Sequence, residues 1–201
     1  MTQTIVETIS PTEIRERMRR EMEPETYQHA ERTAAVARQL ALVHGEDSDR
    51  AEVAALVHDI ADRFSERELL RLADHYGLPV SLTEARIPKL LHAKVGAEML
   101  RESGVRDEEL LDAVREHITG GPRMSTLSKI TFVADKIEPY RDRHFGGLDP
   151  VRDLAMVDLD GAILQLYAWR IDHLVQEGRP VDDTLTTSRN RLIERMLARG
   201  R

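Results

Sequence analysis

The sequence contains no cysteine, which excludes disulfides, thiolate metal sites, iron–sulfur clusters and a cysteine nucleophile together. Aromatic residues are scarce, with three Phe, four Tyr and one Trp. That scarcity argues against a β-sandwich, a barrel or an RNA-binding sheet built on stacked aromatics. No window approaches the roughly 18–20 apolar residues that a membrane span needs, and no stretch alternates strongly between apolar and polar residues. GxxxxGK followed by Ser or Thr, GxGxxG and GxSxG are all missing, so the usual phosphate loops and the serine-hydrolase elbow have no support. Positive charge is also in deficit. The net charge of −7 disfavours non-specific binding to DNA, RNA or anionic membrane, although a locally basic pocket can still take a small anion. The opening MTQTIVETIS lacks the basic start and apolar run of a secretion signal, so a cytoplasmic location is expected.

What is abundant is Ala, Leu, Arg and Glu, a helix-forming mixture. Ser10-Pro11-Thr12-Glu13 is a capping box with proline at the first helical position. It opens a short charged helix that should stop near Pro24. Further helices are expected over about 26–44, closed by Gly45, over 49–63, and from a second capping box at Ser65 to Gly77. Others should run from Pro88 to Gly104, over 107–117, over 125–138, over about 151–177 as one long helix, and over 184–198. The expectation is an all-α bundle of eight or nine helices, divided into a charged N-terminal helix (1–24) and a main domain (25–201). The long helix 151–177 and its neighbour could also support a homodimer.

Chemistry must then come from histidine and carboxylate. His58-Asp59 lies within AALVHDIAD, where a buried aspartate is costly unless its charge is paired. Imidazole beside carboxylate suits zinc, iron or manganese. Three more histidines share the apolar faces of separate helices: His29 with Thr33, Val36 and Leu40; His92 with Val95 and Met99; His117 with Leu110, Ala113 and Val114. A single such histidine reads as a hydrogen-bonded core residue, but three beside an HD pair point to a shared centre. Asp135, in TFVADKIEP, is a second carboxylate at the border of an apolar helix. His44 and His75 precede Gly45 and Gly77 at helix ends, where a positive group offsets the dipole. His44 also lies about 22 Å along a continuous helix from His29, too far to share a metal. His144 reads as a loop residue and His173 as part of the long helix. Lys94, Lys129, Lys136 and Arg141 stand within a few residues of the candidate ligands and could offset phosphate charge.

The pattern H…HD…H…H…D, with LLHAKVGAEML, REHITG and ADKIEPYR, resembles the HD-domain symmetrical bis(5′-nucleosyl)-tetraphosphatases, the YqeK group. The likeness runs from about Tyr27 to Asn190. It implies an HD-domain helical bundle and two transition-metal ions, iron first, with manganese or zinc also compatible. His29, His58, Asp59 and Asp135 would hold one ion, His92, His117 and Asp59 the other, with Asp59 bridging. The catalytic set it implies is Asp59, His92 and Asp135. The implied reaction is symmetrical hydrolysis of diadenosine tetraphosphate to two ADP, the small-molecule dinucleotide being the partner. Arg141 matches a phosphate contact, and Arg179, Pro180, Val181, Asp182, Asp183 and Thr184 match a nucleotide-touching loop, with Lys94 and Lys136 as further candidates. Asp62 and Ile118 depart from the family pattern without removing a ligand. A nucleotidase or phosphodiesterase acting on another nucleotide, or a non-catalytic nucleotide-sensing module, would use the same ligands.

Overall fold

The structure, a computed structural model, describes residues 10–143 and 147–200; the reading of His144 lies outside them. Among these residues there are eleven α-helices, two 3₁₀ turns and no strand. The fold is all-α as expected, with more helices than eight or nine. The capping box at Ser10 forms in full and opens α1 (Pro11–Glu21). That helix stops short of Pro24 as expected, and Pro24 itself occupies the first turn of α2 (Pro24–His44), which Gly45 closes in the left-handed conformation at φ 71°. An unforeseen third capping box, Ser81 with Glu84, starts the one-turn helix α5 (Leu82–Arg86).

The scarcity of aromatics is met by alanine. Ala30, Ala34, Ala37 and Ala41 of α2 and Ala51, Ala54 and Ala55 of α3 (Ser48–Val57) are fully buried, which lets the two helix backbones approach closely. α8 (Thr126–Ile137) packs on the same pair, and α7 (Glu108–Glu116) against α8 and α3. α6 (His92–Glu102) lies on α7, and α4 (Glu66–His75) covers the 3₁₀ turn Pro88–Leu91 that leads into it. α1 contributes Ile14 and Met18 to the same core as Leu40, Leu56, Phe132 and Tyr167.

Two expected helices are shorter than their patterns suggest. The helix expected over 49–63 ends at Val57, and residues 58–63 continue as tighter turns. The amides of Ile60 and Asp62 bond to Val57 and Asp59, three residues back. The helix expected over 151–177 is two helices, α9 (Asp149–Ala155) and α10 (Leu159–Gln176). Asp158 sits between them at φ −147° and caps α10 through the Gly161 amide, 3.2 Å away. An aspartate able to bond its own downstream backbone offers an alternative to helix at that point. α11 (Asp183–Ala198) then packs on α10.

Candidate metal centre

The site forms where five segments meet. His29 comes from α2, His58 and Asp59 from the turn after α3, His92 from the first residue of α6, His117 from the end of α7 and Asp135 from α8. Two local features bring them within reach. Ending α3 at Val57 turns the HD pair off the helix axis. Gly96 lets α6 lie against that turn, since a Cβ there would stand 3.3 Å from Ile60 and 3.6 Å from Ala61.

Backbone carbonyls orient three of the imidazoles. Nδ1 of His58, His92 and His117 lies 2.6, 2.7 and 2.7 Å from the carbonyl oxygens of Ala55, Lys89 and Val114. A carbonyl can only accept, so each Nδ1 carries a proton and each ring turns its Nε2 inward, the atom that can serve as a ligand once it is free of a proton. The Nδ1–H of His29 donates to Glu138 Oε1 at 3.2 Å, and Glu138 is itself held by Arg32 at 2.7 Å. Glu138 has no assigned role in the sequence reading. Its signal lay in ADKIEPYR, where it stands three residues after Asp135 and therefore on the same helical face.

The Asp59 carboxylate divides the cluster. Its Oδ1 lies 3.1 Å from His92 Nε2 and 3.3 Å from His117 Nε2. Its Oδ2 lies 3.2 Å from His58 Nε2 and 3.8 Å from His29 Nε2. Asp135 Oδ1 joins the second group, 3.0 Å from His29 and 3.8 Å from His58. His58 Nε2 is buried and makes no hydrogen bond, its approach to Asp59 being misaligned. The Nε2 atoms of His92 and His117 face each other at 3.1 Å. Converging ring nitrogens, carboxylate oxygens and an orphaned buried nitrogen are what a cation satisfies. The donor set fits a metal.

Charge in the cluster is unevenly held. Burial would push His58 down, but Asp59 beside it outweighs burial and raises its pKa to about 9. Burial pushes His117 down to about 4. Asp59 and Asp135 are held well below the ordinary carboxylate range despite burial, the first chiefly by His58, the second by Lys136 and Arg141. Lys136 Nζ lies 3.1 Å from Asp135 Oδ2 and donates to the His117 carbonyl at 2.5 Å. Arg141 Nη2 lies 2.5 Å from Asp135 Oδ1 and 3.1 Å from His29 Nε2.

Over the cluster opens a cavity of about 590 Å³. Lys136, Arg141, Arg170 and Arg179 line it, as do the apolar faces of Ile118, Leu166 and Trp169. Pro180 and Asp182 line a smaller adjoining space, Val181 packs on the core, and Asp183 and Thr184 are exposed at the start of α11. Two of the lysines lie elsewhere. Lys94 pairs with Glu84 at 2.6 Å and Lys129 with Asp160 at 2.6 Å, neither lining the cavity. His44 bonds the Ala155 carbonyl at 2.7 Å, tying α2 to α9 away from the cluster.

Residues 26–140 match the HD domain family. The chain belongs to the HD-domain family. Within that family it is 40% identical over 163 residues to the symmetrical bis(5′-nucleosyl)-tetraphosphatase of Bacillus subtilis, spanning 80% of this chain and 86% of that one. The enzyme of the same name from Halalkalibacterium halodurans is 39% identical over 84% of this chain and 89% of its own. The HD-domain chain also superposes on the crystal structure of a predicted HD superfamily hydrolase involved in NAD metabolism from Clostridium acetobutylicum. The TM-score is 0.87 at 30% identity, covering 94% of this chain and 100% of that one.

Proposed function

We propose that this HD-domain protein hydrolyses diadenosine tetraphosphate and related dinucleoside polyphosphates at the middle of the phosphate chain, giving two nucleoside diphosphates. Two transition-metal ions, iron by choice, are held by His29, His58, Asp59, His92, His117 and Asp135. The observation that carries this reading is Asp59, whose two oxygens face two different histidine pairs, the arrangement of a bridging carboxylate. The names of the relatives supply the substrate class.

When bound, such a metal pair supplies an acidified water and neutralises phosphate charge. The protein's own residues do the rest. Backbone carbonyls and Glu138 hold the four rings with Nε2 turned inward, so the donors are already oriented for the ions. Lys136 and Arg141, both paired with Asp135, bring positive charge to the side of the cavity where the ligands lie. Ile118, Leu166 and Trp169 offer an apolar wall to a nucleoside. Residues 25–201 form the working unit behind the charged N-terminal helix, and its place is the cytoplasm.

Initial-rate product analysis on metal-loaded protein tests the reading. Diadenosine tetraphosphate should give only ADP, and hydrolysis in ¹⁸O-water should label one of the two ADP molecules. Sustained ATP plus AMP would place the attack on an outer phosphate and refute symmetrical cleavage. Binding without cleavage would favour nucleotide sensing.

A further inference from the structure

Most cations of the cavity already have carboxylate partners. Lys89 pairs with Asp62 at 2.9 Å, Arg141 and Lys136 with Asp135, and Arg179 with Glu177 at 3.3 Å. Arg170 is different. It projects from α10 into the cavity wall, partly buried, and also lines the smaller space beside it. Among the described residues it makes no hydrogen bond and no ion pair. Burial, and then the neighbouring Arg179, disfavour its charged form, against a partial offset from the field of Glu177. A partly buried cation with no acceptor in hydrogen-bond reach is costly unless an anion arrives.

We infer that Arg170 binds a phosphate of the substrate half that lies away from the metal ligands. This rests on the dinucleotide reading above. The placement follows from the lining: Lys136 and Arg141 sit on Asp135 among the metal ligands, whereas Arg170 and Arg179 also line the smaller side space, which none of those ligands lines. Such a run of cations exceeds what one carboxylate or one monophosphate needs, and it matches the spread charge of a polyphosphate. Trp169, the preceding residue on α10, lines the same cavity and gives the attached nucleoside an apolar surface.

The test is calorimetric titration of the metal-loaded protein with a diadenosine tetraphosphate analogue bridged by methylene at its centre. It is paired with kinetics on diadenosine tetraphosphate itself and with thermal melts. Arg170→Gln should weaken analogue binding about ten- to hundredfold, as for a lost charge-assisted contact, and the kinetic loss should fall on KM more than on kcat. Arg170→Lys should recover part of the affinity. The melting temperature of Arg170→Gln should be unchanged or higher, because an unpaired, repelled charge has been removed. Equal affinity in wild type and Arg170→Gln overturns the assignment while leaving the reaction standing. A loss of affinity accompanied by a lower melting temperature also overturns it, since that marks a structural role. Tight, Arg170-dependent binding without hydrolysis sinks the reaction and keeps the phosphate contact. No binding by wild type sinks both.

Discussion

Asp59 is the residue on which the site turns, because each of its oxygens serves a separate histidine pair. Replacing it removes a donor from both groups at once. Asp59→Ala is therefore expected to lose both ions, whereas His44→Ala, whose ring bonds the Ala155 carbonyl, should keep them. Elemental analysis of the purified variants decides this, and full metal content in Asp59→Ala would refute a shared carboxylate. At this scale the sequence carried much. The six clustered side chains are recognisable as residue types out of place on apolar faces. Glu138 and Arg170 were not, because a carboxylate that orients a ring and an arginine without a partner are defined by what surrounds them. Lys94 shows the converse: proximity in sequence to His92 put it among the candidates, but its side chain turns to Glu84.

Among the elements, the link between α7 and α10 controls the cavity wall. Gly120 follows α7 with φ 70°, and a Cβ there would fall on the Tyr167 hydroxyl. Gly120→Ala combines left-handed strain with overpacking, expected to cost about 1–3 kcal/mol. It should also raise KM, since Tyr167 shares α10 with Trp169 and Arg170. Melts and steady-state kinetics check both, and an unchanged melting temperature would show that Tyr167 moves freely. A second link joins α3 to α7 through Arg50 and Asp107, 2.6 Å apart. The Arg50 hydrogen bond lowers the Asp107 pKa below its ordinary 3.8. That stabilisation is present above the ordinary value and is lost as pH falls through the lowered one. Asparagine caps a helix as well as aspartate does, so Asp107→Asn isolates the pairing. The variant should melt lower than wild type at neutral pH, and the gap should close on acidification below the ordinary carboxylate pKa. A gap independent of pH would assign the effect to packing.

For the molecule as a whole, the proposed metal ligands come from α2, the turn after α3, α6, α7 and α8. Ions that bind only this assembled state add to its stability, by about 2.7 kcal/mol when free metal is a hundredfold above its dissociation constant. For a chain of this size that corresponds to about 5–11 °C. Chelator-treated protein should melt lower by such an amount and recover on adding metal back; coincident melts would mean that the ligands do not bridge the helices through an ion. The sequence by itself determined the helical class, most helix starts and the residues with chemistry to offer. Capping boxes, proline placement and apolar periodicity act between residues only a few positions apart and are complete in the local chain. Where helices stop, and what meets whom, was decided by tertiary structure. The ends at Val57 and at the Asp158 break depend on which backbone bonds survive once neighbours pack, and no local pattern records that choice. His29 and Asp135 stand 106 residues apart in the chain and 3.0 Å apart in space. Only the close packing of alanine-faced helices brings them together.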